Sequence, residues 1–400
     1  MDERGAVNRA VTSAAEALVL SEMFPPAIGG SGKLLKNIYR WMRRVKVTVI
    51  TDGSEGDSWE DGMQVIREPM RTKHWGLMHP AGLRHHLRVA ARVRVLCSRK
   101  PMVVHCCRLL PEGLDAWLAR CTGGARYVCW VHGEEISYAD TSRELRILMR
   151  LVHSGAAALI ANSRNTASIM EAFGIPRDRI DIVSPGVDAT KFQPGLPGAA
   201  ALRARWANAG QLLLLTVGRL ERRKGHDLVL RALASDALRT ASIRYLIVGE
   251  GEELPRLQAM TSELGLTERV TFIGRVEDDA LPAYFSAADI FVHPNRSEGE
   301  SSEGFGLVFL EAAAAGVPTI GGVTGGVPEA LERDVTGLIV SGTDAEELAQ
   351  SIRSLASSPE LRSAMGKAGR ARAERDFSWE SAANRVTLIH ERVARGQNRS

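Results

Sequence analysis

No apolar run in this 400-residue sequence approaches the ~18 residues needed to cross a membrane as a helix. The first residues, MDERGAVNRAVTSAAE, carry acids early and lack an apolar core segment, so they do not read as a secretory signal. A disordered lead-in over 1–15 is expected. Cysteine is scarce: Cys97, Cys106, Cys107, Cys121 and Cys129 all fall in the first half, with no C-x-x-C pair. Such spacing excludes a regular disulfide framework and a zinc knuckle, and points to buried free thiols in a reducing cytoplasm. No D-x-D frame occurs, so no paired carboxylates announce a divalent cation, and no G-x-S-x-G announces a serine nucleophile. His74, His79, His85 and His86 are spaced too irregularly to suggest a metal site. Acidic residues are absent from Arg71 to Pro111.

That last absence is part of a wider asymmetry. Residues 1–195 hold 27 Lys and Arg against 20 Asp and Glu, and the remainder 24 against 27. The net charge of +4 therefore sits in the first half, which suggests an acidic partner on that side. Gly82–Leu96 reads as a helix with Arg84, Arg88 and Arg92 on one face. Leu83, Leu87, Ala90 and Ala91 fall on others, and Trp75, Leu77 and Met78 lie just before it. A basic amphipathic helix with aromatic anchors suits an anionic membrane surface; a solvated domain helix is the plainer reading. No nucleic-acid partner is expected.

Short apolar runs alternate with helical patterns along the whole chain. Ala17–Leu20, Val45–Thr51, Met102–His105, Tyr127–His132 and Ala157–Ala161 read as buried strands in the first half. Leu212–Val217, Arg244–Val248, Val270–Ile273, Ile290–His293 and Val317–Ile320 do so in the second. Alternation of this kind predicts an α/β protein with parallel sheets covered on both faces. The proline- and glycine-bearing stretch Val183–Gln211 reads as a linker, and 400 residues suit two domains. The expected division is 16–195, 196–375 and a C-terminal helix and tail over 376–400.

The most informative stretch is EGFGLVFLEAAAAGVPTI, starting at Glu303, with Glu311 eight positions later. Gly304 and Gly306 precede an alanine-rich run of high helix propensity. This predicts a turn feeding a helix, with free N–H groups near Gly306 and Leu307 that favour an anion such as diphosphate. A carboxylate on either side of a phosphate matches a nucleotide sugar. VGRLERRKG, Val217 to Gly225, places Gly218, Arg219 and Lys224 directly after a strand, where Arg engages phosphate bidentately and Lys as a point charge. Arg222 and Arg223 read as ordinary solvated charges.

The E-x7-E arrangement resembles that of retaining GT-B glycosyltransferases of family four. Five further segments occur in the expected order: PPAIGGSG (Pro25 to Gly32), WVHGEE (Trp130 to Glu135), SPGVDATKFQP (Ser184 to Pro194), VGRLERRKG and FIGRV (Phe272 to Val276). The similarity covers roughly residues 16–390 and is closest in flavour to bacterial phosphatidylinositol-mannoside-type mannosyltransferases. The resemblance implies two doubly wound Rossmann-like domains facing across a cleft, and a C-terminal helix crossing back to the first. It also implies transfer of a hexosyl unit from GDP-mannose or a UDP-sugar to a glycan, lipid-linked or small-molecule acceptor. No cofactor beyond that donor is implied.

In the reading the resemblance supports, Gly29 and Gly30 bring backbone to the diphosphate, and His132 holds sugar hydroxyls by its ring or its carbonyl. Glu303, Gly304, Phe305, Gly306 and Leu307 face the sugar and phosphate, Glu311 the ribose, and Arg275 and Val276 the base. Glu134 and Glu135 are indistinguishable from surface charge. With no nucleophile on the sugar's reactive face, retention by a front-face route is implied, charge being neutralised by Arg219 and Lys224 instead of a metal. An epimerase or phosphorylase on the same fold, or a binding subunit without turnover, are the alternatives.

Overall fold

The computed structural model describes residues 15–25, 30–54, 56–299 and 303–397. Gly29, and with it half of the expected Gly29–Gly30 loop, lies outside them. The chain forms two compact units. One comprises Met1–Asn162, Ala167–Val183 and Glu380–Ser400 as far as these are described; the other Ser163–Thr166 and Ser184–Trp379. The junction thus falls at Val183/Ser184, twelve residues before the 195/196 division suggested by sequence. The proline-rich segment beyond it is packed into the second unit and carries its own helix, Ala199–Trp206.

The strands of the first unit are β1 (Glu16–Ser21), β2 (Val47–Thr51), β3 (Gly56–Glu60), β4 (Met63–Arg67), β5 (Met102–Cys106), β6 (Tyr127–Val131), β7 (Ala158–Ala161) and β8 (Ile180–Ile182). They form one sheet in the order β3-β4-β2-β1-β5-β6-β7-β8. Only the β3–β4 hairpin is antiparallel. The second unit contains β9 (Leu212–Val217), β10 (Ile243–Val248), β11 (Val270–Gly274), β12 (Ile290–His293), β13 (Thr319–Gly322) and β14 (Gly337–Val340). Their order, β11-β10-β9-β12-β13-β14, is the Rossmann pattern 3-2-1-4-5-6. Both units are therefore doubly wound α/β domains.

Parallel pairing buries both faces, which is why β1, β2, β5, β6 and β7 are near-continuous apolar runs. In each unit the strand order reverses beside the first strand, at β1/β5 and at β9/β12, leaving a crevice at the carboxyl ends. Ser21–Glu22 and Cys107–Arg108 emerge at the first; Gly218 and Pro294–Asn295 emerge at the second.

The basic helix is longer than expected, Pro80–Arg99, because His79 caps it through Nδ1 to the Ala81 N–H at 3.2 Å and Pro80 opens the first turn. Its faces also differ from the sequence reading. Leu83, Leu87 and Val95 are exposed together with Arg84, Arg88 and Arg94, whereas Arg92 is partly buried and pairs with Glu68 at 3.4 Å. Trp75 and Leu77 pack on the core, so they are not free anchors; Met78 alone of that trio is fully exposed. All five cysteines are free thiols; Cys106, Cys107 and Cys129 are buried, but Cys121 is exposed and Cys97 only partly covered.

Candidate active site

In the second unit the chain leaves β9 at Gly218 and passes through a short turn, Arg222–Lys224, to Gly225, which opens the helix His226–Ala234. Gly225 has φ +76°, and a Cβ there would sit 2.3 Å from the Pro294 carbonyl oxygen. Only glycine lets this turn press against the segment after β12. Next door, a Cβ on Gly249 would lie 1.9 Å from the Gly218 carbonyl oxygen. The loop beginning at Glu303 is pinned in the same way, since Cβ atoms on Gly325 and Gly326 would strike the carbonyls of Glu303 and Gly304 at 2.1 and 2.4 Å.

These close approaches deliver Lys224, Arg223 and Asn295 to one oxygen of Glu303. Lys224 Nζ donates to Glu303 Oε2, Asn295 Nδ2 donates at 3.1 Å, and Arg223 donates at 3.4 Å. Lys224 and Glu303 are nearly buried. Burial pushes the Glu303 pKa up, but the charges of Lys224 and Arg223, the Lys224 hydrogen bond and the Arg219 charge outweigh it and hold it below the ordinary value. The carboxylate is ionised and acts as an acceptor only. Arg223, which reads in sequence as a solvated charge, is half-buried here between Glu221 (2.9 Å) and Glu303. Arg222 stays exposed. Arg219 is also exposed, its guanidinium 2.6 Å from Glu221.

Gly306, at φ +87°, caps the helix Leu307–Ala314, and Phe305 and Phe309 anchor it in the core. Gly306 sits beside Glu303, a Cβ there falling 3.5 Å from Glu303 Cγ. Glu311 lies on the half-buried side of this helix. Arg275 and Val276 follow β11; Arg275 is exposed, 3.7 Å from Glu277. Beneath Lys224, His226 and His293 are buried with both ring nitrogens of each lacking a partner. Burial first and the Lys224 charge second depress both pKa values, that of His226 to about 3.

The first unit has its own polar centre. Arg108 engages Glu112 through two nitrogens at 3.0 and 3.2 Å and Glu22 at 2.9 Å. Glu112 also accepts the Glu22 N–H at 3.0 Å, and Trp75 lies under the guanidinium, 5.2 Å away. His132 follows β6. Its Nε2 donates to the Cys107 carbonyl at 3.1 Å, and its Nδ1 accepts from Asn162 Nδ2 at 3.3 Å. Both ring nitrogens of His132 therefore have partners within the first unit. Burial, then the Arg108 charge, lowers its pKa to about 4, and it is neutral at pH 7. Glu135 differs from the exposed Glu134. It is buried, accepts the His132 N–H at 3.0 Å, and burial pushes its pKa up to about 7. Gly30 begins the helix Gly30–Trp41, with open space around it.

Asn295, Glu22, Arg108 and Glu112 escaped the sequence reading. Asn295 follows the predicted strand Ile290–His293 and is positioned only by tertiary contact, since a Cβ on Gly322 would lie 1.8 Å from its carbonyl.

Residues 201–372 match the family described as "Glycosyl transferases group 1", and residues 28–191 match "Glycosyltransferase Family 4". A GDP-mannose-dependent alpha-(1-6)-phosphatidylinositol monomannoside mannosyltransferase of Mycolicibacterium smegmatis is 31% identical over 378 residues, 93% of this chain and 97% of that one. The protein belongs to family four of the glycosyltransferases. The corresponding mannosyltransferase of Mycobacterium tuberculosis H37Rv is likewise 31% identical, over 92% of this chain and 96% of its own length. Among solved structures, Anabaena Alr3699/HepE in complex with UDP and glucose superposes with a TM-score of 0.77 at 19% identity, covering 94% and 98% of the two chains. Sucrose-phosphate synthase from Thermosynechococcus elongatus gives 0.79 at 21%, covering 96% and 100%. These two likenesses establish the GT-B fold of this glycosyltransferase. Among the described residues no helix is long and apolar enough to cross a membrane.

Proposed function

We propose that this glycosyltransferase moves a hexosyl unit, with retention and without a catalytic metal, from a nucleotide sugar to an acceptor hydroxyl. GDP-mannose is the favoured donor, because the relatives covering most of the chain are named for it. The observation that carries the reading is the convergence of Lys224, Arg223 and Asn295 on Glu303, at the switch point of the second unit and beside the Gly306 helix start.

Breaking the anomeric C–O bond builds negative charge on the leaving phosphate, and groups fixed in advance stabilise it without reorganising. Lys224 is held in place by Glu303, and the exposed Arg219 can exchange its Glu221 contact for phosphate. The N–H groups at Gly306 and Leu307 add a helix N-terminus. The three donors on Glu303 occupy one carboxylate oxygen, and the other accepts a hydroxyl of the transferred sugar. Glu311 takes the ribose and Arg275–Val276 the base. The leaving phosphate itself helps deprotonate the acceptor, which accounts for turnover without a protein nucleophile.

The acceptor is a glycan, glycolipid or small molecule read by the first unit. A lipid-linked acceptor at an anionic cytoplasmic membrane face suits the exposed mixture of Leu83, Leu87 and Val95 with Arg84, Arg88 and Arg94.

The test uses Glu303→Ala with GDP-mannose and UDP-sugars. Loss of transfer and donor hydrolysis with nucleoside-diphosphate binding intact supports the reading. Unchanged turnover sinks it.

A further inference from the structure

Outside the donor site, the fold gathers three ligand-type side chains that are far apart or misleadingly spaced in sequence. His85 and His86 lie on the helix Pro80–Arg99, and Asp115 lies on the adjacent helix Glu112–Cys121. One donor atom from each lies within 4.8 Å of one from each of the others. His86 and Asp115 are fully buried, and His85 is half-buried. His86 Nδ1 meets Asp115 Oδ1 at 2.7 Å, yet this pairing leaves much unsatisfied. His85 Nε2, His86 Nε2 and Asp115 Oδ2 are all buried without a hydrogen-bond partner. Buried polar atoms of a native protein normally find partners, so three bare atoms on three side chains whose ligand-type atoms approach within 4.8 Å of one another point to a bound partner.

We propose that His85, His86 and Asp115 bind a divalent transition-metal ion, with Zn2+ the representative ion, which clamps the basic helix Pro80–Arg99 onto the helix Glu112–Cys121. Two imidazoles and a carboxylate form a borderline-soft N,N,O set that suits zinc, and three protein ligands leave one tetrahedral position to water. Metal–ligand bonds of ~2.0–2.2 Å bring ligand atoms to roughly 3.3 Å from one another, so the cluster contracts on binding. Rotation of His85, the least buried of the three, supplies most of that movement. The 2.7 Å contact between Asp115 and His86 already holds the carboxylate beside the imidazole, as coordination of one ion by both requires. The site lies in the first unit and takes no part in sugar transfer. Its effect is to hold the exposed face bearing Leu83, Arg84, Leu87 and Arg88 in register with the core.

The experiment titrates Zn2+, and Co2+ as a spectroscopic probe, into full-length protein stripped with chelator. Wild type is expected to take up one equivalent, to show visible Co2+ ligand-field bands, and to melt a few degrees higher, about 3–5, when Zn2+ is at 100 times its dissociation constant. His85→Gln, at a half-exposed position, keeps the metal-free melting temperature and loses both the bands and the Zn2+-induced rise; Asp115→Asn weakens binding at least tenfold. His74→Gln/His79→Gln removes the other, stacked histidine pair, 3.6 Å between ring centroids, and leaves the titration unchanged. Full uptake by His85→Gln, loss of uptake in the His74/His79 variant, or no stoichiometric uptake by wild type each overturns the proposal. Donor binding by the stripped protein is expected to persist in every case, so failure here is separable from failure of the transferase reading.

Discussion

The two units solve opposite electrostatic problems at equivalent places in their sheets. At the β9/β12 crevice Lys224, Arg223 and Arg219 meet Glu303 and Glu221, three cations against two carboxylates, so cationic charge is in excess. At the β1/β5 crevice a single buried cation, Arg108, is met by Glu22 and Glu112, and carboxylate is in excess. The second unit thus waits for an anion. The first is already neutralised, and its spare acids resist ionisation: burial pushes Glu22 up, and Glu135 to about 7. In the proposed function the diphosphate goes to the former. Net charge divided by half, +7 against −3 in 27:20 and 24:27 residues, points the other way. The local inventory at each crevice thus differs in sign from the sum over the corresponding half.

Removing a cation from the second unit should have the largest effect. Lys224→Met takes positive charge from the leaving phosphate and leaves Glu303 half-compensated. We expect kcat to fall about 10²–10³-fold, equivalent to ~3–4 kcal/mol of barrier, together with a lower melting temperature because an opened buried pair costs about 3 kcal/mol. Steady-state kinetics and thermal melts report the two losses. Arg219→Ala sharpens the comparison, since this arginine is exposed and its partner Glu221 keeps Arg223. Its kcat/KM for donor should drop at least tenfold while the melting temperature stays within a degree or so, roughly 0.5 kcal/mol. A matching loss of stability would mean that Arg219 is structural.

The first unit is tested by pH. A raised acid pKa means the folded state holds the proton more tightly than the unfolded chain. The contribution of Glu135 is therefore fully present below 4.5 and is lost as pH rises through about 7. His132 runs oppositely: its lowered pKa gives stability present above 6.5 and lost as pH falls toward about 4. Glu135→Gln isolates the first effect, and its advantage over wild type in urea denaturation should grow between pH 5 and pH 8. A difference independent of pH would show that Glu135 ionises normally. The smallest expected effect concerns the basic helix. Anionic liposomes should retain the protein at low salt and release it at high salt, less so for Arg84→Gln/Arg88→Gln; equal retention of that variant would place the contact elsewhere.

Much of this architecture is legible in sequence because parallel strands are buried on both faces and so appear as unbroken apolar runs. The strands that escape, β3, β4, β8 and β14, are short, at or near sheet edges, or mixed in polarity, as in GDSWE and MQVIR. Lys224 and Glu303 are conspicuous because each adjoins glycines whose close packing also shapes the loop. Arg223, Asn295, Arg108 and Glu112 carry no such local mark. A charge beside other charges looks solvated until the fold brings its partner, here from 80 positions away for Arg223 and Glu303 and 90 for Glu22 and Glu112. His85, His86 and Asp115 are hidden for the same reason.

A crystal structure of the protein soaked with GDP-mannose or another sugar nucleotide tests the central claim most directly. Diphosphate density within hydrogen-bond reach of Arg219, Lys224 and the Gly306–Leu307 N–H groups, with a sugar hydroxyl on Glu303, is the predicted result. Diphosphate bound away from all of these would contradict it.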